Sequence, residues 1–195
     1  MKMKQVDWAS TLGRTAWALV VALALLSLPA CYDFPVPLDP EPKLKPDARL
    51  LGAWLCLPPE PTVPPDLRVK AGEDDRLVAL KFDAANLRYR IRVVGLDKPD
   101  EEGLWGGYAS ELGERTILNL RPISDEAKPD EVTLVSYRLL APDVVQFDLV
   151  DEEPVKGKPL SPSAELRKTL LSHRPQAELF KPFMVCVRAK IEDPS

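Results

Sequence analysis

Leu87, Tyr89, Ile91 and Val93 alternate with Arg88, Arg90 and Arg92. A period of two sends successive side chains to opposite faces, so residues 87–93 predict a half-buried strand. The same alternation places Val78, Leu80 and Phe82 on one side of 76–82, and Val145, Phe147 and Leu149 on one side of 143–150. Segments 115–120 and 132–140 are rich in apolar and β-branched residues. Segments 50–57, 104–110 and 183–190 bring the set to about eight, with Gly, Pro, Asp and Asn in the gaps, as turns require. One helix interrupts the series. Ser161 reads as its N-cap and Pro162 as its first residue; 164–173 carries Leu166 and Leu170 one turn apart, and Arg174-Pro175 ends it. Seven strands, a helix and a last strand predict a mainly β fold: an antiparallel meander closed into a barrel, or a sandwich.

The first thirty residues follow another pattern. Lys2, Lys4 and Arg14 lead into an apolar run from Ala16 to Ala30. A basic lead, a short apolar stretch and a small residue at the boundary are the parts of a secretory signal, and the run is shorter than the about 20 residues a membrane-spanning helix needs. The next residue is Cys31. Leu28-Pro29-Ala30-Cys31 is similar to the lipobox of bacterial lipoproteins. That resemblance implies removal of residues 1–30, a diacylglycerol on the Cys31 thiol, and attachment to a membrane. Tyr32 stands where an Asp would favour inner-membrane retention, so the expected location in a Gram-negative cell is the outer membrane, facing the periplasm.

Residues 31–47 hold the lipid-bearing Cys and a Pro-rich tether. Five of the sixteen residues from 32 to 47 are Pro, which favours extended backbone without ladder bonds. A mobile spacer reaching roughly 50 Å is the favoured expectation; an ordered arm held by Phe34 and Leu38 is the other. The β-rich domain is expected over 48–195.

Gly52-x-Trp54 resembles the opening motif of lipocalins. The resemblance implies a closed meander barrel whose far end carries a basic residue across the Trp, and Arg188 can fill that place. In lipocalins the helix follows the last barrel strand; here it precedes it. The layout also resembles bacterial lipocalin-like lipoproteins of unassigned function.

The cysteines give an independent register. With Cys31 lipidated, Cys56 and Cys186 remain as a pair in an oxidising compartment, on the first and last predicted strands. Closing an even-stranded meander makes those strands antiparallel neighbours. Opposed residues in an antiparallel pair have a constant sum of residue numbers, and Trp54 with Arg188 has the same sum as Cys56 with Cys186. A disulfide between Cys56 and Cys186 therefore implies Arg188 over Trp54 on the same face. A separation of their Cα atoms beyond about 7 Å would exclude both.

Composition narrows the chemistry. The 195 residues carry a net charge of −4, and removal of three cations and one anion with residues 1–30 leaves about −6. An acidic body gives no reason to expect nucleic-acid binding. One histidine, His173, falls at the expected helix end, so neither a zinc site nor catalysis by histidine is expected. Acidic runs 73–75, 100–102 and 151–153 lack calcium-loop spacing. Gly-rich 103–113 lacks the Gly-Lys ending of a phosphate loop, and no nucleophile elbow occurs. No enzyme, metal or cofactor is expected.

Two functions remain. One is a structural or interaction module of the cell envelope, its barrel filled by Trp54, Leu87, Tyr89, Ile91, Phe147 and Leu149 and its surface docked on an envelope protein. The other is a carrier of a small apolar ligand, with Trp54, Tyr89 and Phe147 as liners and with space left by Gly106, Gly107 and Ala109.

Overall fold

The computed structural model describes residues 33–59, 75–96, 102–124, 128, 131–158, 160 and 162–189. Cys31 and the expected signal segment, residues 1–30, lie outside the described residues. In chain order the elements are β1 (Asp33–Phe34), β2 (Gly52–Leu57), β3 (Arg76–Asp83), β4 (Arg88–Gly95), β5 (Glu102–Leu112), β6 (Arg115–Pro122), β7 (Val132–Ala141), β8 (Val144–Val150), α1 (Ser163–Ser172) and β9 (Phe180–Arg188). From β2 to β9 each strand pairs antiparallel with the next, and β9 returns to β2. The result is a closed eight-stranded antiparallel barrel with a helix before its last strand, not a sandwich.

The closing seam has the expected register. Trp54 lies opposite Arg188 and Cys56 opposite Cys186. A disulfide joins the two cysteines, whose Cα atoms are 4.0 Å apart.

Elsewhere the elements depart from the sequence pattern for local reasons. Strand β4 begins at Arg88, not Leu87. The Asp83 carboxylate accepts bonds from the Ala85 and Asn86 amides and curls the hairpin, and Leu87 completes it at φ +52°. Leu87 is therefore exposed and does not fill the barrel. Strand β9 starts at Phe180, three residues earlier than expected. It tolerates Pro182 because a bulge falls there: Asp148 faces Pro182, Phe147 faces Met184, and Phe183 is the extra residue. Pro162 occupies the N-cap position of α1, one residue later than expected.

Apolar residues form two cores. Trp54, Leu80, Tyr89, Ile91, Leu118 and Val145 belong to the one inside the barrel. The other lies outside the wall, where Leu166 and Leu170 of α1 and Leu179 cover Ile117, Val132, Leu134 and Val150. This second core explains why β6 and β7 read as continuous apolar runs: both of their faces are buried.

The Pro-rich segment belongs to the outer core. It was expected to stand off as a spacer, yet Phe34 and Leu38 are 0% and 1% exposed. Strand β1 pairs with β7, with Asp33 opposite Thr133 and Phe34 opposite Val132. The Leu38 amide donates to the buried Oδ1 of Asn119 at 2.7 Å, and Asn119 Nδ2 donates to Ser110 Oγ at 2.8 Å. Arg167 of α1 bonds Asp39 at 2.8 Å. Proline removes amide donors but does not prevent burial of the apolar residues between prolines, so the folded unit takes in the arm from Asp33 onward.

Two stability effects follow. Phe34→Ala should lower unfolding free energy by about 3 kcal/mol, as for other buried Phe truncations; a free spacer would show no change in a urea titration. Replacing Cys56 and Cys186 together by Ser opens a link across 130 residues of sequence. It should cost roughly 2–5 kcal/mol, read as a lower transition midpoint against the oxidised parent.

Candidate functional site

The two ends of the barrel differ. At one end the β3–β4, β5–β6 and β7–β8 connections are tight hairpins, and the turn Ala48–Leu50 crosses beneath β2. Trp54 is fully buried there, and its Nε1–H donates to the Leu50 carbonyl at 2.8 Å. The Arg188 guanidinium lies 4.3 Å from the Trp54 ring centroid and donates to the carbonyls of Leu51 and Arg49 and to the Asp143 carboxylate. Gly52, at φ +121°, passes this guanidinium closely; a Cβ there would stand 3.0 Å from Nη1. The Gly-x-Trp spacing thus has a local cause: Gly makes room for the cation that covers the indole.

Asp47 holds the same end together. Its amide donates to the Tyr89 hydroxyl at 2.9 Å, and its carboxylate accepts from Tyr137 at 3.3 Å and from Arg49 at 2.8 Å. The bonds from Arg49 hold the Asp47 carboxyl below its usual range, against the opposing effect of burial. Burial pushes the Tyr137 phenol far upward, so it stays a donor.

At the other end the connections between strands are longer. A cavity of about 580 Å³ opens there, within the range typical of small-molecule sites. Val78, Ile91, Trp105, Leu118, Val135 and Phe147 are on its walls. The Cys56 side of the disulfide and Met184 also border it, and Arg76 and Thr133 are polar groups among its lining. The Arg76 guanidinium donates to the Asp75 carbonyl at 3.0 Å.

Of the three expected liners, Phe147 borders the cavity. Trp54 and Tyr89 are in the closed end and do not. The glycines do not supply the space either. A Cβ on Gly107 would stand 2.1 Å from the Asn119 carbonyl oxygen, so this glycine admits the backbone of β6, and Gly106 is covered by Ile123. The strand alternation already carried Val78, Ile91 and Val135, but Trp105 was hidden in the Gly-rich segment. Nothing in the alternation says which end of each strand is capped.

Other chemistry is sparse. Among the described residues no group of three or more His, Cys, Asp or Glu could hold a metal ion. His173 is the C-cap of α1. A shallow crease of about 630 Å³ runs outside the barrel between the arm and α1. Its Arg167 is already bonded to Asp39 and to the Leu38 and Glu111 carbonyls. Burial raises the Asp39 carboxyl, but bonds from Ser110 and Lys43 and the charge of Arg167 outweigh it and leave it below its usual range.

No protein-family model, curated protein or solved structure matches this chain. What the fold and cavity define is a class: a closed antiparallel barrel, plugged at one end and hollow toward the other.

Acid should loosen the plugged end. The Asp47 pKa is lowered from 3.8 on folding, so its stabilisation is complete well above that value and is lost as pH falls through the depressed folded value. Asp47→Asn should therefore lower the urea midpoint at pH 7. Its deficit against the parent should shrink below about pH 4, where the unfolded carboxyl is protonated.

Proposed function

We propose that this chain is an exported, membrane-anchored lipoprotein that holds a small apolar ligand in its barrel without catalysing its conversion. The cavity carries this reading. A self-filled barrel, the main support for a purely structural module, is at odds with a void of about 580 Å³ walled largely by apolar side chains. An apolar guest would gain contacts with these walls and so stabilise the fold as it binds. The Gly52-x-Trp54 motif with Arg188 across it supports a lipocalin-like assignment, and Leu28-Pro29-Ala30-Cys31 supports lipidation. The disulfide of Cys56 and Cys186 fits an oxidising compartment and leaves Cys31 as the unpaired third cysteine.

The test is binding of the neutral fluorophore N-phenyl-1-naphthylamine to the full mature chain. Emission should rise on titration, and Val93→Trp should weaken binding at least about tenfold, equivalent to 1.4 kcal/mol, because the indole occupies the void. Leu140→Trp, at a closed-end hairpin, should leave it unchanged. Equal binding by parent and Val93→Trp, or no binding by the parent, would overturn the carrier reading.

A further inference from the structure

The cavity wall is not uniformly apolar. The part built by β3, β4 and β5 presents Arg76, Val78, Leu80, Ile91, Val93 and Trp105. Arg76 and Trp105 are the polar side chains of this set, and both are donors without acceptor atoms. Arg76 opens β3 at the hollow end. It lies opposite Cys56 on one side and Gly95 on the other, so it shares the inner face with Cys56. Its guanidinium donates to the Asp75 carbonyl at 3.0 Å. It sets a permanent positive charge beside the disulfide and the aliphatic wall.

Trp105 lies opposite Ile91, and Gly103, the next inward position toward the mouth, lies opposite Val93. A Cβ on Gly103 would stand 3.3 Å from Trp105 Nε1. The indole therefore lies along the wall over Gly103, with its nitrogen edge toward the mouth. The two tryptophans of the barrel differ in their partners. Trp54 Nε1–H donates to the Leu50 carbonyl, whereas Trp105 Nε1–H meets no acceptor among the described residues. A partly buried indole N–H ordinarily finds a partner. Because Trp105 borders the cavity, this donor faces whatever the cavity takes in. The acceptors of this end are across the barrel: β7 is four strands from β3, and there the Thr133 hydroxyl donates to the Asp33 carboxylate at 3.0 Å.

We propose that the ligand is an apolar carboxylic acid, with its hydrocarbon against Val78, Ile91, Leu118 and Phe147 and its carboxylate at the mouth between Arg76 and Trp105. This rests on the carrier reading and names the chemistry of its ligand. A carboxylate offers two oxygens, one for the guanidinium and one for the indole N–H, and charge-assisted bonds are roughly twice as strong as neutral ones. A hydroxyl or a neutral ester brings no charge to Arg76. A few polar groups in an apolar wall fix the direction of a ligand as well as its identity, so the acid lies tail inward with its head at the mouth.

Isothermal calorimetry on the full mature chain compares dodecanoate with 1-dodecanol, which has the same chain and no charge, at about pH 8, where a carboxylic acid is ionised. Dodecanoate should bind at least about tenfold more tightly, although the alcohol leaves water more readily. Arg76→Met keeps an apolar stem and should bring the ratio of the two dissociation constants to about one, while Arg76→Lys should keep part of the preference. Trp105→Phe, which removes the N–H and keeps a ring, should lower the ratio roughly threefold. The ratio is read within each variant, so a general change in affinity or in folded fraction cancels. Equal or tighter binding of the alcohol by the parent overturns the head-group site, as does a parent-like ratio in either Arg76→Met or Trp105→Phe. Naphthylamine binding by the same parent sample then leaves the carrier reading standing. A parent that binds dodecanoate, dodecanol and naphthylamine not at all overturns both.

Discussion

Closure of β9 on β2 is the constraint on which the rest of the barrel depends. An open eight-stranded meander would leave two strand edges with unpaired amides and carbonyls, and one face of every strand without a core. The seam is held three ways: by the ladder from Trp54 to Leu57, by the disulfide of Cys56 and Cys186, and by Arg188 laid over Trp54. These share one register. A slip of one residue would turn Trp54 and Cys56 outward and break all three together, so the seam specifies its own alignment.

The seam also sets which end of the barrel is solid. Arg188 reaches the carbonyls of Arg49 and Leu51, which positions the crossing turn beneath β2 and Leu50 under the indole. Tyr89 and Tyr137 meet Asp47 at the same level. Buried polar atoms at this end are satisfied, so the plug is rigid as well as apolar. In the opposite half longer connections replace the hairpins. Hollow space is tolerated where disulfide and ladder carry the wall without help from a filled interior.

The arm and α1 show how a small barrel gains a second core. Strands β6 and β7 present Ile117, Val132 and Leu134 outward, and the helix and the Pro-rich arm cover them. That cover brings the start of the folded unit to the mouth end of β7. A stretch that composition assigns to a spacer is instead part of the outer core.

Much of this was legible in the residues. Alternation in 76–82, 87–93 and 143–150 marks strands because a barrel wall has one apolar face, and cysteine parity with constant-sum pairing marks the seam. What alternation cannot carry is anything non-local. It assigns Trp54, Tyr89 and Phe147 to the same interior, yet Trp54 and Tyr89 are plugged and Phe147 borders a void, because height along the barrel depends on strand stagger across all eight strands. It reads Gly107 as space where the fold uses it to admit a backbone. It reads prolines as a tether because the surface that buries Phe34 and Leu38 is built from strands some hundred residues away, as the Asp33–Thr133 pairing shows. The sequence alone determined the strands and the closing pair; the tertiary structure decided which end is hollow and where the arm lies, since both follow from contacts between distant segments.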